Sequence, residues 1–583
     1  MLWKNLSQIL NRDQKIKTFL ILIMMIIGGL LETVAVSMVI PLVSIIIEPD
    51  SIQSNSLLNS IYNLFHLETK NQFLVFIILA MIFVYIFKNV FLFILYYVQA
   101  NFTTKGQYLM AKEILSHYMN KPYEYYLNAS TSDIIRIIQG DVSNTFALLT
   151  NVLQFLTELV VFLCLIFLLM YLDPTLMIGI AIVLGLTMLV SKKLCQSSLS
   201  KAGKDMQEYS SIAYKWLIQG IEGIKDIKIL QKENYFVQNY EKSAKKTSIA
   251  QKKNSVLSQT PRLIIETVGM CGMLAMIAIL LCNGRSIEGM ATQITAFAMA
   301  AVRLMPSANR MNSYLNVISY LNPSLETVVK EIECSRKEQV EQENNKHMVE
   351  NKKLSFTQQV DVSEIQYAYP NCEKNLFEDA NMVIPIGKSV AVIGSSGAGK
   401  TTIIDILLGL LKPKSGSINV DGVNVEMGYA SWLDKIGYIP QSIFMLDGTI
   451  RENIAFGVKE EEIDDNRVWK VLEDAQLKEH IVSLPEGLDT EIGEKGVRLS
   501  GGQRQRLGIA RALYHDPDIL VFDEATSALD NDTEAAIMDS INKFQGEKTL
   551  IIIAHRLATI KNCDIIYRVV DGKIIREENA ISK

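Results

Sequence analysis

Long runs without a charged residue constrain this chain more than any other feature. Examples are Phe19–Leu31, Phe73–Phe87 and Val160–Leu172. A helix of about 20 apolar residues spans a bilayer core of roughly 30 Å, and it satisfies its own backbone hydrogen bonds in lipid. Segments of this kind predict six membrane-spanning helices. They lie at about residues 18–47, 72–98, 144–172, 174–195, 261–282 and 290–318.

The composition agrees with a membrane protein that also has a large polar part. The chain has 583 residues, a formal net charge of −5 and a mean hydropathy of +0.20, which argues against a disordered chain. The near balance of 57 basic and 62 acidic residues gives no support for a nucleic-acid partner. The first apolar run continues to about Ile47 without a small-residue cleavage site, so we expect a retained helix rather than a signal peptide.

The polar connections between the spans differ in charge. Residues 191–260 are rich in lysine, and residues 99–143 add further basic residues. The charged residues of the 48–71 loop, in contrast, are mostly acidic. The positive-inside rule therefore places both termini and the long connections in the cytoplasm. Because these connections keep helical periodicity, the second to fifth helices are predicted to extend beyond the membrane. Interruptions near residues 121–132 and 219–226 suggest short crosswise elements that contact another domain.

The 48–71 loop contains an apolar pattern of its own. Leu57, Leu58, Ile61 and Leu64–Phe65 fall on one face of a helix. This pattern predicts a short amphipathic helix at the outer membrane surface. Two interpretations stay open at this point: the helix packs on the outer ends of the spans, or it helps to handle a lipid.

Five ionisable residues lie within the predicted spans and are the candidates for a substrate cavity: Glu32, Lys88, Glu266, Arg303 and Arg310. Ionisable groups are costly in lipid and usually face the interior of a helix bundle or an aqueous cavity. The alternative is a structural role, in which Glu32 or Glu266 pairs with Arg303. Lys88 and Arg310 also have side chains long enough to reach the membrane interface.

The character of the chain changes after the last predicted span. Residues 330–353 form a strongly charged, glycine-free stretch, which we interpret as a linker or a helix end. Short β-rich runs separated by glycines follow it. The sequence therefore predicts an α-helical six-span transmembrane domain at residues 1–329 and a soluble α/β domain at residues 354–583.

A phosphate-binding loop marks the soluble domain. The apolar strand Ser389–Ile393 leads through a glycine-rich loop into the apolar helix Thr402–Leu411, which is the strand–loop–helix context that such a loop needs. Backbone N–H groups and the helix N-terminus attract phosphate oxygens, while the lysine reaches the β- and γ-phosphates and the following hydroxyl ligates Mg²⁺. The predicted ATP-binding residues here are Gly394, Ser395, Gly397, Gly399, Lys400, Thr401 and Thr402.

A second strand end supplies carboxylates. The buried-strand pattern Ile519–Phe522 ends in Asp523 and Glu524. A carboxylate at such a strand end can hold the Mg²⁺ shell, and the next one can polarise an attacking water. The pair is a weak signal alone and a strong one beside a phosphate-binding loop.

The segment Leu499–Gln503 is similar to the signature motif of ATP-binding-cassette (ABC) proteins, and it lies about twenty residues before the acidic strand end. The resemblance implies that Ser500, Gly501, Gly502 and Gln503 face ATP. It implies that Tyr369 stacks on adenine and that Gln441 contacts Mg²⁺ and the attacking water. It also implies that His555 contacts the γ-phosphate.

The resemblance covers nearly the whole chain and is closest to the ABC exporter half-transporters of the type IV fold. In that family two cassettes meet head to tail, and each ATP lies between the phosphate loop of one chain and the signature segment of the other. One cassette per chain therefore implies a homodimer with ATP and Mg²⁺ as cofactors.

The sixth predicted span resembles a particular group of exporters. The stretch Arg303–Arg310, which contains Pro306, is similar to the corresponding helix of bacterial lipid-linked oligosaccharide flippases of the PglK type. This resemblance implies a polyprenyl-pyrophosphate oligosaccharide as substrate and a bacterial inner membrane as location. The alternatives are an exporter of drugs, peptides or other lipids, and an ATP-gated regulatory or channel protein.

Overall fold

A computed structural model describes residues 2–39, 42, 45–46, 62–63, 69–172, 174–282, 287–348, 354–370, 372–523, 541, 543–554 and 562–577. At some helical positions, including residue 303, only the backbone is described. The chain divides into two compact units. One comprises Met1–Lys121 and Ala129–Val340, and the other comprises Pro122–Asn128 and Glu341–Lys583.

The first unit is helical. Its elements are α1 (Leu2–Ile9), α2 (Arg12–Ser37), α3 (Lys70–Met119), α5 (Thr131–Ile135), a π-helical turn (Arg136–Asp141), α6 (Val142–Leu172), α7 (Pro174–Glu222), α8 (Ile224–Leu230), α9 (Glu233–Cys282) and α10 (Ile287–Met348). The short helix α4 (Tyr123–Tyr126) belongs to the second unit. At about 1.5 Å per residue, the 49-residue helix α7 is more than twice as long as a bilayer core is thick. The fourth predicted span thus lies in a helix long enough to extend well beyond the membrane, as the prediction for the second to fifth helices requires.

Three helices in the described part of the chain are long and apolar enough to cross a membrane. They cover Arg12–Ala35, Asn71–Met119 and Thr131–Phe167. Large apolar side chains of α3 point away from the protein, with Phe83 69% and Phe93 71% exposed, as expected for a face in contact with lipid or another subunit. The count of six spans stays a prediction. The amphipathic helix predicted at Leu57–Phe65 lies outside the described residues, apart from positions 62–63.

A buried polar cluster joins three helices of the first unit. The Asp141 carboxylate is 1% exposed and accepts hydrogen bonds from Gln207 of α7 at 2.7 Å and Ser324 of α10 at 2.9 Å. Arg136 pairs with the same carboxylate across the π-helical turn. Gly203 lets α7 and α10 approach closely, since a Cβ there would lie 2.0 Å from the backbone oxygen of Tyr320.

The second unit contains two sheets. Its strands are β1 (Gln359–Tyr367), β2 (Phe377–Pro385), β3 (Ser389–Gly394), β4 (Ser415–Val420), β5 (Val423–Asn424), β6 (Ile436–Ile439), β7 (Ile519–Asp523), β8 (Thr549–Ile553), β9 (Ile565–Val570) and β10 (Lys573–Glu577). Its further helices are α11 (Lys400–Leu407), α12 (Tyr429–Leu433), α13 (Ile450–Ile454), α14 (Asp465–Asp474), α15 (Lys478–Val482) and α16 (Gly501–Leu513). One sheet is antiparallel with the order β2-β1-β4-β5, and the other has the order β10-β9-β3-β8-β7-β6.

The six-stranded sheet separates two apolar cores. Strand β7 shows the alternation directly: Leu520 and Phe522 pack with helices α13–α16, whereas Ile519 and Val521 pack with α11 and the antiparallel sheet. Alternate side chains of a strand point to opposite faces, so a fully buried strand reads as a continuous apolar run. Strands β6, β7, β8, β3 and β9 are parallel. Their carboxyl ends therefore meet at one edge, where the candidate site lies.

Candidate functional site

The glycines of the loop after β3 adopt conformations that other residues rarely reach. Gly397 has φ +81° and Gly399 has φ +102°, in the left-handed region that favours glycine. A Cβ at position 399 would lie 2.9 Å from Cζ of Phe377. The backbone can therefore close into a cradle at this point, which fits the phosphate-binding role predicted for the loop.

Lys400 places a positive charge inside this loop. Its side chain is buried, and its Nζ donates to the carbonyl oxygens of Gly394 and Ser395 at 3.1 Å each. Helix α11 begins at this lysine, so its first backbone N–H groups have no partner within the helix. An ammonium group beside free N–H donors suits a phosphate group.

Hydroxyl and carboxylate oxygens meet at the next position. The Thr401 Oγ1 lies 3.4 Å from Asp523 Oδ1, and the Tyr438 hydroxyl donates to Asp523 Oδ2 at 3.3 Å. Such hard oxygen ligands are those that Mg²⁺ prefers, so Thr401 and Asp523 fit the predicted metal role. Gln441, the other predicted metal contact, follows β6 by two residues and is exposed.

A further carboxylate near this site was missed by sequence reasoning. Burial, together with the charge of Asp523, raises the pKa of Asp405 on α11 to about 6. The available signal was its spacing, because Asp405 follows Thr401 by four residues and so lies on the same helix face. Two nearby acidic groups make this corner of the site attractive to a cation.

Tyr369 lies beside the phosphate-binding helix. Its hydroxyl is 2.8 Å from Thr402 Oγ1, and its ring meets that of Tyr367 edge to face. The Tyr369 side chain is 37% exposed. An exposed aromatic ring at this place is available for stacking on a planar base.

The signature segment caps a long helix. Ser500 is the N-cap of α16: its Oγ accepts from the Gln503 N–H, and the Gln503 side chain accepts from the Ser500 N–H. Gly501 and Gly502 form the first turn, whose N-terminal end carries partial positive charge. The Gln503 amide also lies 3.0 Å from Nε2 of His480, a histidine to which the sequence assigned no role.

Two predicted catalytic residues, Glu524 and His555, lie outside the described residues. The strands that lead to both catalytic residues are described. β7 ends at Asp523 and β8 ends at Ile553, and these two residues are paired in adjacent parallel strands. Glu524 and His555 therefore follow, by one and two residues, two strand ends that lie side by side at one edge of the sheet.

Three of the five candidate cavity residues, Glu32, Lys88 and Arg310, take part in two separate ion pairs of the first unit. Lys88 Nζ lies 2.7 Å from Glu32 Oε2, and both side chains are largely buried. Arg310 donates to both carboxylate oxygens of Glu158 at 2.6 and 3.2 Å. Sequence reasoning did not single out Glu158. The Arg303 side chain, proposed as an alternative partner for Glu32, is outside the described residues.

A cavity of about 590 Å³ lies between α9 and α10. Arg262 and Glu266 line it from α9, and Pro306, Asn309 and Arg310 line it from α10. Two of the five predicted cavity residues, Glu266 and Arg310, are thus brought together. Lys88 and Glu32 are not among the residues that line this cavity.

The short helix α4 follows the long helix α3, within the segment 121–132 where a crosswise element was predicted. The Glu124 side chain accepts a hydrogen bond from the Lys412 backbone N–H at 2.7 Å. Lys412 lies shortly after α11, which begins at the phosphate-binding loop. The first of the two predicted interruptions therefore contacts the cassette.

Comparison with known proteins agrees with this geometry. The family described as ABC transporter matches residues 377–527, and the ABC transporter transmembrane region matches residues 18–301. The chain is 44% identical over 201 residues to the uncharacterized ABC transporter ATP-binding protein YwjA of Bacillus subtilis (strain 168), covering 34% of this chain and 35% of that protein. The match thus spans about a third of that relative's length.

Two longer matches also cover the first, helical unit of the chain. The chain is 27% identical over 473 residues to an ATP-dependent lipid A-core flippase of Bordetella avium (strain 197N), covering 80% of this chain and 77% of that protein. The solved structure of a bacterial Atm1-family ABC exporter with ATP bound superposes with a TM-score of 0.74, at 19% identity, over 97% of this chain and 95% of that chain. Since the two ABC transporter families match residues 18–301 and 377–527 and together cover well over half of the sequence, the chain belongs to the ABC transporter family and is a multi-pass membrane protein with an ATP-binding cassette.

Proposed function

We propose that this chain hydrolyses ATP with Mg²⁺ and uses the reaction to move a lipid-linked substrate across the membrane. The observation that supports the ATPase part is the loop after β3, where buried Lys400 lies among backbone donors and Thr401 lies beside Asp523. When bound, Mg²⁺ would neutralise charge on the phosphate groups. Thr401, Gln441 and Asp523 are the residues that would hold it.

The remaining roles follow from the family. Glu524 polarises the attacking water, His555 contacts the γ-phosphate and Tyr369 stacks on the adenine ring. Ser500–Gln503 act on the nucleotide of a second subunit, so the working form is a homodimer. ATP favours the closed pair of cassettes, and hydrolysis releases it.

The cavity between α9 and α10 supports a substrate with an anionic head group. The Arg310 guanidinium is held by Glu158, yet the Arg310 side chain stays 51% exposed, and Arg262 lines the same cavity. Guanidinium groups bind phosphate oxygens through paired N–H donors. A polyprenyl-pyrophosphate oligosaccharide combines such a head group with an apolar tail that can stay in lipid. The named lipid A-core flippase among the relatives makes another glycolipid the second candidate.

We propose a bacterial inner membrane as the location, with the cassette and both termini in the cytoplasm, and the lysine-rich connections support this orientation. Export of a drug or peptide, and ATP-dependent gating of a pore or partner, are the competing functions that the transport assay below distinguishes.

The ATPase part is tested with Glu524→Gln in the full chain. Without the carboxylate that activates water, ATP binding should persist while hydrolysis falls by at least about 100-fold. Glu486→Gln, at an exposed position of the cassette, is the matched control and should behave as wild type. Near-normal hydrolysis by the Glu524 variant would remove this residue as the base.

The transport part is tested in liposomes. Purified protein is reconstituted with a polyprenyl-pyrophosphate oligosaccharide, a lipid A-type glycolipid or a neutral lipid, and ATP-dependent movement between leaflets is measured. The proposal expects movement of the first substrate. Movement of lipid A alone would select the second candidate, and drug-stimulated ATPase activity without lipid movement would reject both.

A further inference from the structure

We propose that Tyr438 is a positioning residue for the magnesium-binding carboxylate of Asp523. This inference rests on the proposed Mg²⁺–ATP site but not on hydrolysis or transport. No predicted role was given to Tyr438, which lies on strand β6 three residues before Gln441.

The sheet register brings the two residues together. Strands β6 and β7 are adjacent and parallel, and Tyr438 is paired with Val521. Asp523 lies two residues beyond Val521 on β7, so its side chain points to the same face of the sheet as Tyr438. A tyrosine side chain is long enough to reach this diagonal neighbour, and its hydroxyl donates to Asp523 Oδ2 at 3.3 Å.

The two oxygens of Asp523 thereby have different neighbours. Oδ1 faces the Thr401 hydroxyl at 3.4 Å, whereas Oδ2 accepts from Tyr438. Contacts at both oxygens fix the plane of the carboxylate. They direct Oδ1 at Thr401, which is another predicted metal ligand. Outer partners of this kind hold a metal-binding group in the orientation that the ion needs.

The phenol is suited to act as a permanent donor. A phenol has an ordinary pKa of about 10, well above neutral pH. The group therefore keeps its proton at all physiological pH values. Its ring packs against the apolar core beneath α11, which fixes the position of the hydroxyl without help from the carboxylate.

Tyr438→Phe tests this role, because it removes the hydroxyl and keeps the ring packing. The full chain is saturated with the non-hydrolysable analogue AMP-PNP, and Mg²⁺ is titrated by calorimetry. We expect the Kd for Mg²⁺ to rise about tenfold. Binding of AMP-PNP without Mg²⁺ and the unfolding temperature without ligands should stay at the wild-type values, since a purely structural hydroxyl would change these two instead.

Tyr567→Phe is the matched control. Tyr567 is another tyrosine of the same sheet whose ring packs in the same apolar core, but its hydroxyl donates to the Val383 carbonyl and accepts from the Val383 N–H. This variant should keep the wild-type affinity for Mg²⁺. An unchanged Mg²⁺ affinity in Tyr438→Phe, or equal weakening of Mg²⁺-free nucleotide binding, would overturn the inference. Failure of the wild-type chain to hydrolyse ATP would instead count against the proposed function, because the titration needs no turnover.

Discussion

The buried pair of Lys88 and Glu32 allows a test of what an ion pair does inside this membrane unit. Lys88 was a candidate for the substrate cavity, but its Nζ lies 2.7 Å from Glu32 Oε2, with exposed fractions of 7% and 15% for the two side chains. The ammonium group also lies 4.9 Å from the centre of the Tyr85 ring. We predict that Lys88→Met lowers stability and that transport falls only as far as the folded fraction does.

The size of the effect follows from the burial of the pair. Removing one partner of a buried ion pair leaves an uncompensated charge and costs about 3–5 kcal/mol. The lost cation–π contact adds about 0.5–2 kcal/mol. The double variant Glu32→Met/Lys88→Met leaves no charge behind, and replacing a buried pair by apolar residues is often neutral or stabilising. The double variant should therefore recover most of the stability that the single variant loses.

The assay is denaturant unfolding of the full chain in detergent, combined with lipid transport in liposomes. Lys228→Met is the control, because Lys228 pairs with Glu233 at an exposed site where the side chains are 65% and 42% exposed. Exposed pairs contribute about 0–1 kcal/mol, so this variant should unfold almost as the wild type does. A stable Lys88→Met protein that has lost transport, with no rescue by the double variant, would refute the structural role and return Lys88 to the substrate cavity.

Three further predictions concern single sites. Gly399→Ala should raise the Kd for a fluorescent ATP analogue at least about tenfold, because strain at a positive φ costs about 1–3 kcal/mol and the new Cβ crowds Phe377; unchanged binding would contradict the loop geometry. Desolvation opposes ionisation of Asp421, but hydrogen bonds from Thr357 and the next backbone N–H groups lower its pKa. This carboxylate therefore stabilises the fold above about pH 4 and loses that effect in acid, so the stability gap between wild type and Asp421→Asn should shrink as pH falls; a gap that persists in acid would argue against it. Asp141→Ala should cost about 3 kcal/mol in unfolding experiments, since it removes one of the two carboxylate partners of the largely buried Arg136 guanidinium and leaves only Asp133 at 3.5 Å; a loss below about 1 kcal/mol would show that the cluster is dispensable.

The nucleotide site was predictable because its chemistry is local in the sequence. The loop from Gly394 to Thr401 carries its strand, its glycines and its helix within one segment, so composition and spacing define it. The family resemblance supplied the signature segment, whose N-cap geometry at Ser500 the structure shows. The length of helix α7 was predictable for the same reason, since helical periodicity runs along one segment of the sequence.

Contacts between distant segments were not predictable from the sequence in the same way. Tyr438 and Asp523 are 85 residues apart in the chain, and only the register of β6 against β7 brings them together. Glu158 and Arg310 are separated by 152 residues. A single sequence gives the cost of burying each charge but not the partner that compensates it. The packing of α2 on α3 therefore decides that Lys88 and Glu32 form a pair.

The two ion pairs also differ in what they leave for a ligand. The Lys88 ammonium is buried against Glu32 and the Tyr85 ring, so a head group could reach it only by breaking the pair. Arg310 is different, because a guanidinium has five N–H donors and only its Nε and one terminal nitrogen contact Glu158. The buried carboxylate holds the guanidinium plane while half of the Arg310 side chain stays exposed. Of these two cations, Arg310 is thus the one whose remaining donors can meet an anionic head group, and Glu158 is the residue that aims it.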